Sequence, residues 1–180
     1  DVLCVFNDLQ KCFDTIDIPT LTHKIEECQY PLIESAMALQ QHMAPRVIQA
    51  EGFSSQPQEI SKSILQGDMQ STSFTRVYLK EDIKAIVEEH PDCGTSTFVD
   101  DTSMHSTGKA SKIRGTMRRC IIDFAARVHK IHLKLSPKAC IVSTKLKQSL
   151  ILKRELAKHD LQFQVSHSAR DLGITFAAGK

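Results

Sequence analysis

The sequence predicts an α+β sandwich, and three observations lead there. Short β-prone runs alternate with longer amphipathic ones, without the regular strand–helix–strand period of a parallel sheet. Ile113, Met117, Cys120, Phe124, Val128 and Ile131 step by four and three, which makes one apolar stripe on a helix. The stretch TSTFVDDTSMHST, Thr95 to Thr107, sets two Thr/Ser/Val-rich arms around Asp100 and Asp101, as a β-hairpin would.

Taken in order, Val2 to Asp8 is a short apolar run ending in a carboxylate, and predicts a buried strand. Residues 20–29 and 32–43 predict helices, with Pro19 and Pro31 near their starts. Residues 45–52 and 59–67 predict two strands joined by a Gly/Ser/Pro turn, and 73–89 a helix that stops ahead of Pro91. After the hairpin come the helix over 111–132, a strand over 139–144, a helix over 149–159 and closing strands over 161–165 and 172–176. No repeat or linker interrupts the chain, which predicts one domain over 1–180.

Composition narrows the class. An apolar fraction of 41% with 24% charged residues is that of a globular domain. No run approaches the roughly 18 apolar residues of a membrane helix, and DVLCVFND has no signal-peptide pattern. The expected setting is intracellular, cytoplasmic or nuclear, with no membrane partner. The start inside an apolar run suggests a fragment of a longer chain. Six scattered cysteines without a C-x-x-C pair suggest reduced thiols. His129 and His132 lie on a basic helix without further ligands, so no metal is assigned to them. Charge is unevenly spread: residues 1–108 carry seven Lys/Arg against 17 Asp/Glu, and residues 109–158 carry 14 against two. The basic block suits a polyanionic partner such as nucleic acid.

Asp100 and Asp101 repel one another, and a pair of Asp residues in a turn often does no more than bond its own backbone. A divalent cation turns that repulsion into shared coordination, and hard Mg²⁺ prefers oxygen ligands. A third carboxylate, Asp8, ends the first strand. If that strand lies beside the hairpin, Asp8 and Asp100 converge on one cavity. Two cations about 3.5–4 Å apart would there clamp the attacking and leaving oxygens of a phosphoryl transfer.

With that constellation in place, the chain resembles the palm of reverse transcriptases, most closely those of non-LTR retroelements. DLQKCFD (Asp8 to Asp14) is similar to the first palm motif, and SILQGDMQS (Ser63 to Ser71) to the second, around Gln66–Gly67. FVDD (Phe98 to Asp101) is similar to the catalytic hairpin, LKLSPKACIV (Leu133 to Val142) to the fourth motif and ARDLGITF (Ala169 to Phe176) to the fifth. The resemblance implies a polymerase palm: an antiparallel sheet with helices on one face and a ferredoxin-like core, in a fragment lacking most of the fingers and the thumb.

It also implies roles. Asp8 and Asp100 would ligate two Mg²⁺ ions (or Mn²⁺), helped by the Leu9 carbonyl, with Asp101 completing the acidic site. Phe13 would lie under the sugar of the incoming nucleotide and exclude a 2′-hydroxyl. Gln66 and Gly67 would line the template and nucleotide pocket. A fourth-motif lysine would protonate the leaving pyrophosphate; the register allows Lys138, or position 139, which is Ala. Leu172 and Gly173 would place the primer strand. The partners implied are an RNA template, a DNA primer and deoxynucleotides, with basic contacts over 109–158. The implied function is RNA-directed DNA polymerase of a retrotransposon, with the isolated fragment inactive. The alternatives are a non-catalytic, degenerate relic that binds nucleic acid, and an RNA-directed RNA polymerase, against which Phe13 speaks.

Overall fold

The computed structural model describes residues 1–171 and 174–177. In chain order the elements are β1 (Val2–Asn7), α1 (Cys12–Thr15), α2 (Ile18–Glu27), α3 (Leu32–Met43), β2 (Gln49–Ala50), β3 (Phe53–Ser54) and α4 (Ser71–Glu89). They continue with β4 (Gly94–Phe98), β5 (Asp101–Thr107), α5 (Ala110–Lys130), β6 (Cys140–Ser143), α6 (Leu146–Ala157), β7 (Gln164–Val165), β8 (Ser168–Asp171) and β9 (Ile174–Ala177). Two compact units divide the chain: residues 1–10 with 80–180, and residues 11–79.

The first unit is built on a five-stranded sheet of order β4-β5-β1-β6-β7. Every pairing is antiparallel except β6 with β7. The four leading strands thus have the split order of a ferredoxin-like core, in which a hairpin and a returning strand flank β1. Register decides which side chains meet. Leu3 pairs with Ser106 and Ser143, and Val5 with Met104 and Ile141, so these residues share one face of the sheet. Helices α5 and α6 pack against that sheet and each other. The stripe of Ile113, Met117, Cys120, Phe124 and Val128 is buried, as are Leu152 and Leu156 on α6. Arg127 binds Asp123 one turn back and Glu89 at the end of α4, which ties the two helices by charge. Beyond the main sheet, β8 and β9 form an antiparallel pair.

In the second unit, α2 starts at a complete N-terminal signal. Asp17 accepts hydrogen bonds from the Thr20 amide at 3.0 Å and its hydroxyl at 2.7 Å, with Pro19 in the first turn. Ile16, Leu21, Ile25, Ile64, Phe74 and Tyr78 are buried to within a few per cent. Lys24 reaches over the Tyr78 ring, 5.4 Å from its centre, and donates to the Tyr78 carbonyl. The strand expected over 45–52 shrinks to the two residues of β2, which pair with β3 inside the expected turn, and the strand expected over 59–67 is not formed. The isolated bridges Arg46↔Gln58 and Asp17↔Lys62 are what remains of pairing there. Residues 45–62 are mostly exposed and lack a core face to hold a longer ladder. Among the described residues no helix is long and apolar enough to cross a membrane. All six cysteines are free.

Candidate active site

The hairpin β4–β5 closes through Phe98↔Asp101, which leaves Val99 and Asp100 as its two-residue tip. Val99 has φ 58°, a left-handed backbone that crowds a β-branched side chain, and yet it is buried. That turn aims Asp100 and Asp101 differently. Strand β1 pairs with β5 up to Asn7↔Thr102, so one step further the antiparallel run sets Asp8 against Asp101. Asp8 is held in place by its own backbone: its carbonyl accepts from the Ser136 amide at 2.8 Å.

Asp8 and Asp101 line one cavity of about 400 Å³, with Lys138, Cys140, Gln164 and Ser166 around them. Asp100 sits at the tip, within electrostatic reach of Asp8. Burial raises its carboxyl above the usual range; a hydrogen bond from its own backbone opposes the rise, and the charge of Asp8 adds to it. A set of oxygen donors whose charges oppose one another is in kind what a hard divalent cation such as Mg²⁺ or Mn²⁺ prefers, although the three carboxylates are not gathered within 4.8 Å of one another in this structure. The residues able to hold it are Asp8, Asp100 and Asp101. The bridge Leu9↔Leu135 is closed by the groups of its neighbours, Gln10 to Lys134 and Ser136 to Asp8, so it does not use the Leu9 carbonyl. In the fourth motif, Lys138 is exposed and lines the cavity, whereas Ala139 is buried.

Phe13, Gln66 and Gly67 belong to the second unit. Phe13 lies half-buried in α1, which begins after Lys11 in a left-handed conformation, and its carbonyl accepts from Ile64 at 2.9 Å. Gln66 and Gly67 are exposed on a loop that turns with Gly67 at φ 89°. The supports of this loop have no signal in the sequence. His42 Nδ1 accepts from the Leu65 amide at 3.0 Å, Arg46 donates to Ser63 at 3.1 and 3.3 Å, and Asp68 accepts from the Gln70 amide at 2.8 Å. Leu172 and Gly173 lie outside the described residues.

One further residue at the site escaped the sequence reading. Asn7 is 3% exposed, and neither its amide nitrogen nor its oxygen has a hydrogen-bond partner. It stands on the core side of β1 behind Leu3 and Val5, where an apolar residue would be expected. A second acidic cluster, Glu89, His90 and Asp123, lies elsewhere in the unit. Arg127 already supplies its positive charge.

A split ferredoxin-like sheet, with carboxylates at its hairpin tip and at the adjoining strand end, is the architecture of a polymerase palm. The family model for reverse transcriptase (RNA-dependent DNA polymerase) matches residues 1–176, and the chain belongs to that family. Among solved structures it is similar to apo telomerase from Candida tropicalis truncated from the C-terminal domain, with a TM-score of 0.54 and 14% identity. The likeness covers 75% of this chain and 29% of the telomerase chain, and it speaks for the fold. A search of curated proteins finds no significant match.

Proposed function

We propose that this chain is the palm of an RNA-directed DNA polymerase that extends a DNA primer with deoxynucleotides by two-metal nucleotidyl transfer. The observation that carries the reading is that Asp8, just beyond the end of β1, and Asp101, at the start of β5, line one cavity that Lys138 also lines. When bound, two divalent cations would polarise the primer 3′-hydroxyl and neutralise charge on the leaving pyrophosphate. The chain's own residues do the rest. Asp8, Asp100 and Asp101 hold the cations, with the Leu9 carbonyl in support. Lys138 presents an ammonium to the cavity and gives a proton to the departing pyrophosphate. Phe13 rejects a ribose 2′-hydroxyl, and Gln66 with Gly67 borders the nucleotide. The basic residues over 109–158 contact template and primer phosphates without reading sequence. A retrotransposon is the setting that the motif pattern favours.

One observation favours a second reading, a degenerate relic that binds nucleic acid without catalysis. Asn7, beside Asp8, leaves an amide buried and unpaired, a cost that selection for a working fold should remove. Grafting residues 1–176 into an active reverse transcriptase in place of its own palm separates the two. Extension of a DNA primer on RNA, lost with Asp8→Asn or Asp101→Asn, supports the polymerase. A folded graft that binds primer–template but extends nothing with Mg²⁺ or Mn²⁺ supports the relic. Incorporation of ribonucleotides as readily as deoxynucleotides would overturn the role given to Phe13.

A further inference from the structure

Within the second unit, one buried side chain meets the loop of Gln66 and Gly67 on both sides. His42, in the last turn of α3, is 0% exposed. Its Nδ1 accepts from the Leu65 amide at 3.0 Å, just ahead of the pair. Its Nε2 lies 3.7 Å from the carboxylate of Asp68, just behind the pair. Between these two points the backbone turns through Gly67, and Gln66 and Gly67 are exposed.

A ring nitrogen that accepts a hydrogen bond carries no proton, so the neutral imidazole bears its one N–H at Nε2. That N–H is buried and has no hydrogen-bond partner. Asp68 stands too far away to accept it, and the Asp68 oxygen nearest to it takes the Gln70 amide at 2.8 Å. His42 therefore holds one end of the loop by a bond and faces the other across a gap.

We propose that His42 is the positioning residue of the Gln66–Gly67 loop, and that a proton on its ring releases the loop. The neutral ring holds Leu65 by the lone pair of Nδ1. A proton taken from solvent occupies that lone pair, so two N–H groups then face one another and the bond is lost. The imidazolium also gains attraction to Asp68, and closing the gap draws the far side of the loop toward α3. One protonation thus unfastens the near end and pulls in the far end, and the exposed residues between them turn. The charged groups that face the ring are Asp68 from the loop and Arg46, three residues beyond α3, whose guanidinium is fixed on Ser63. Helix α4 presents the uncharged ring of Phe74, edge-on with 5.7 Å between centres. Burial holds the proton off, Asp68 invites it and Arg46 opposes it again, so His42 titrates below the ordinary 6.5 and holds the loop at neutral pH. The consequence for a bound nucleotide rests on the proposed function; the tie between His42 and the loop does not.

The test is an NMR titration of the intact ¹⁵N-labelled chain from pH 7.5 to 5. Expected at pH 7.5 are a scalar coupling between the Leu65 amide nitrogen and His42 Nδ1, and a ring protonated at Nε2 alone. As pH falls, the coupling vanishes and the amides of Leu65, Gln66, Gly67 and Asp68 shift together with the His42 ring, at a midpoint below 6.5. Asp68→Asn moves that midpoint lower still, because it removes the charge that draws the proton. His42→Asn, whose Oδ1 can stand in for Nδ1, keeps the loop amides in place and makes them insensitive to pH, whereas His42→Leu shifts them at every pH. If these variants do not fold, the titration of the parent chain decides alone. No coupling at pH 7.5, or a His42 that titrates while the loop amides stay still, would overturn the proposal. In the palm graft, KM for deoxynucleotides should rise about threefold between pH 7.5 and 6 with His42 and stay level with His42→Asn, while kcat follows the same profile in both. A loop that co-titrates with His42, without that difference in KM, would uphold the positioning role and overturn the place given to Gln66 and Gly67 beside the nucleotide.

Discussion

Replacing Asn7 with Val is expected to make the protein more stable, although the residue adjoins the acidic site. Asn7 occupies the third core-facing position of β1 after Leu3 and Val5, and is 3% exposed with both amide atoms unpaired. A buried polar group without a partner costs about 1–3 kcal/mol. Val is close to Asn in volume, so it fills the space without strain, and its burial and strand preference add roughly another 1 kcal/mol. After allowance for imperfect packing, a gain of about 2 kcal/mol is expected. In urea, with a slope of about 2 kcal/mol/M for a chain of this size, the midpoint rises by about 1 M. Circular dichroism at 222 nm reads it, and the melting temperature rises by about 4–8 °C. Thr102→Val is the control across the strand pair. The Thr102 hydroxyl is bonded to that of Thr97 at 3.3 Å, so this change should lose about 1 kcal/mol. An unchanged or lower midpoint for Asn7→Val would refute the reasoning, because it would mean that the amide has a partner worth keeping.

Asp100→Asn should raise the melting temperature of the metal-free chain, since it removes a half-buried charge facing Asp8, and millimolar Mg²⁺ should narrow the difference by stabilising only the parent. His42 is fully buried and its proton affinity is lowered, by burial first and by Arg46, against an opposing effect of Asp68. The unfolded chain therefore binds the proton more readily: the stabilising contribution is complete above the ordinary His value of about 6.5 and is lost as pH falls through it. Urea midpoints between pH 7.5 and 5 should show that decline, and His42→Gln should flatten it. Gly94→Ala drives a methyl group into the ring of His105 across the hairpin and should cost about 1 kcal/mol, recovered in the double variant with His105→Ala.

Local pattern carried much of the fold. Helix α3 occupies the span its periodicity predicts, because Pro31 sets its start and Leu39 and Ser35 mark a buried stripe. The hairpin arms fall within a residue of their predicted limits for a similar reason: Thr, Ser, Met and Val alternate around a polar turn. Strand β8 went unseen, since Ser168-Ala169-Arg170-Asp171 holds no β-branched residue and pairs only because β9 lies beside it. The chemistry divided along the same line. Asp8, Asp101 and Lys138 belong to motifs with a recognisable order, and the structure brings them to one cavity. The buried sulfur contacts Cys93–Met117 and Cys120–Met104 use two residues of α5 that looked like ordinary members of an apolar stripe. Only tertiary closure makes them neighbours. The bracing of the Gln66–Gly67 loop by His42 and Arg46, from far earlier in the chain, was invisible for the same reason.

The antiparallel pairing of β1 with β5 makes the acidic site a matter of counting. Asp8 and Asp101 reach one cavity because six consecutive pairs, from Val2↔Thr107 to Asn7↔Thr102, keep step behind them. Loss of one residue inside either strand would shift the ladder and turn every side chain beyond the break to the opposite side of the sheet. Met104 would then face water, and a carboxylate would face the helices. Substitutions erode such a site one side chain at a time, but a single missing codon inverts it, so related sequences should tolerate replacements at the outward-facing positions of both strands and almost no change of length between residues 2 and 7 or 102 and 107.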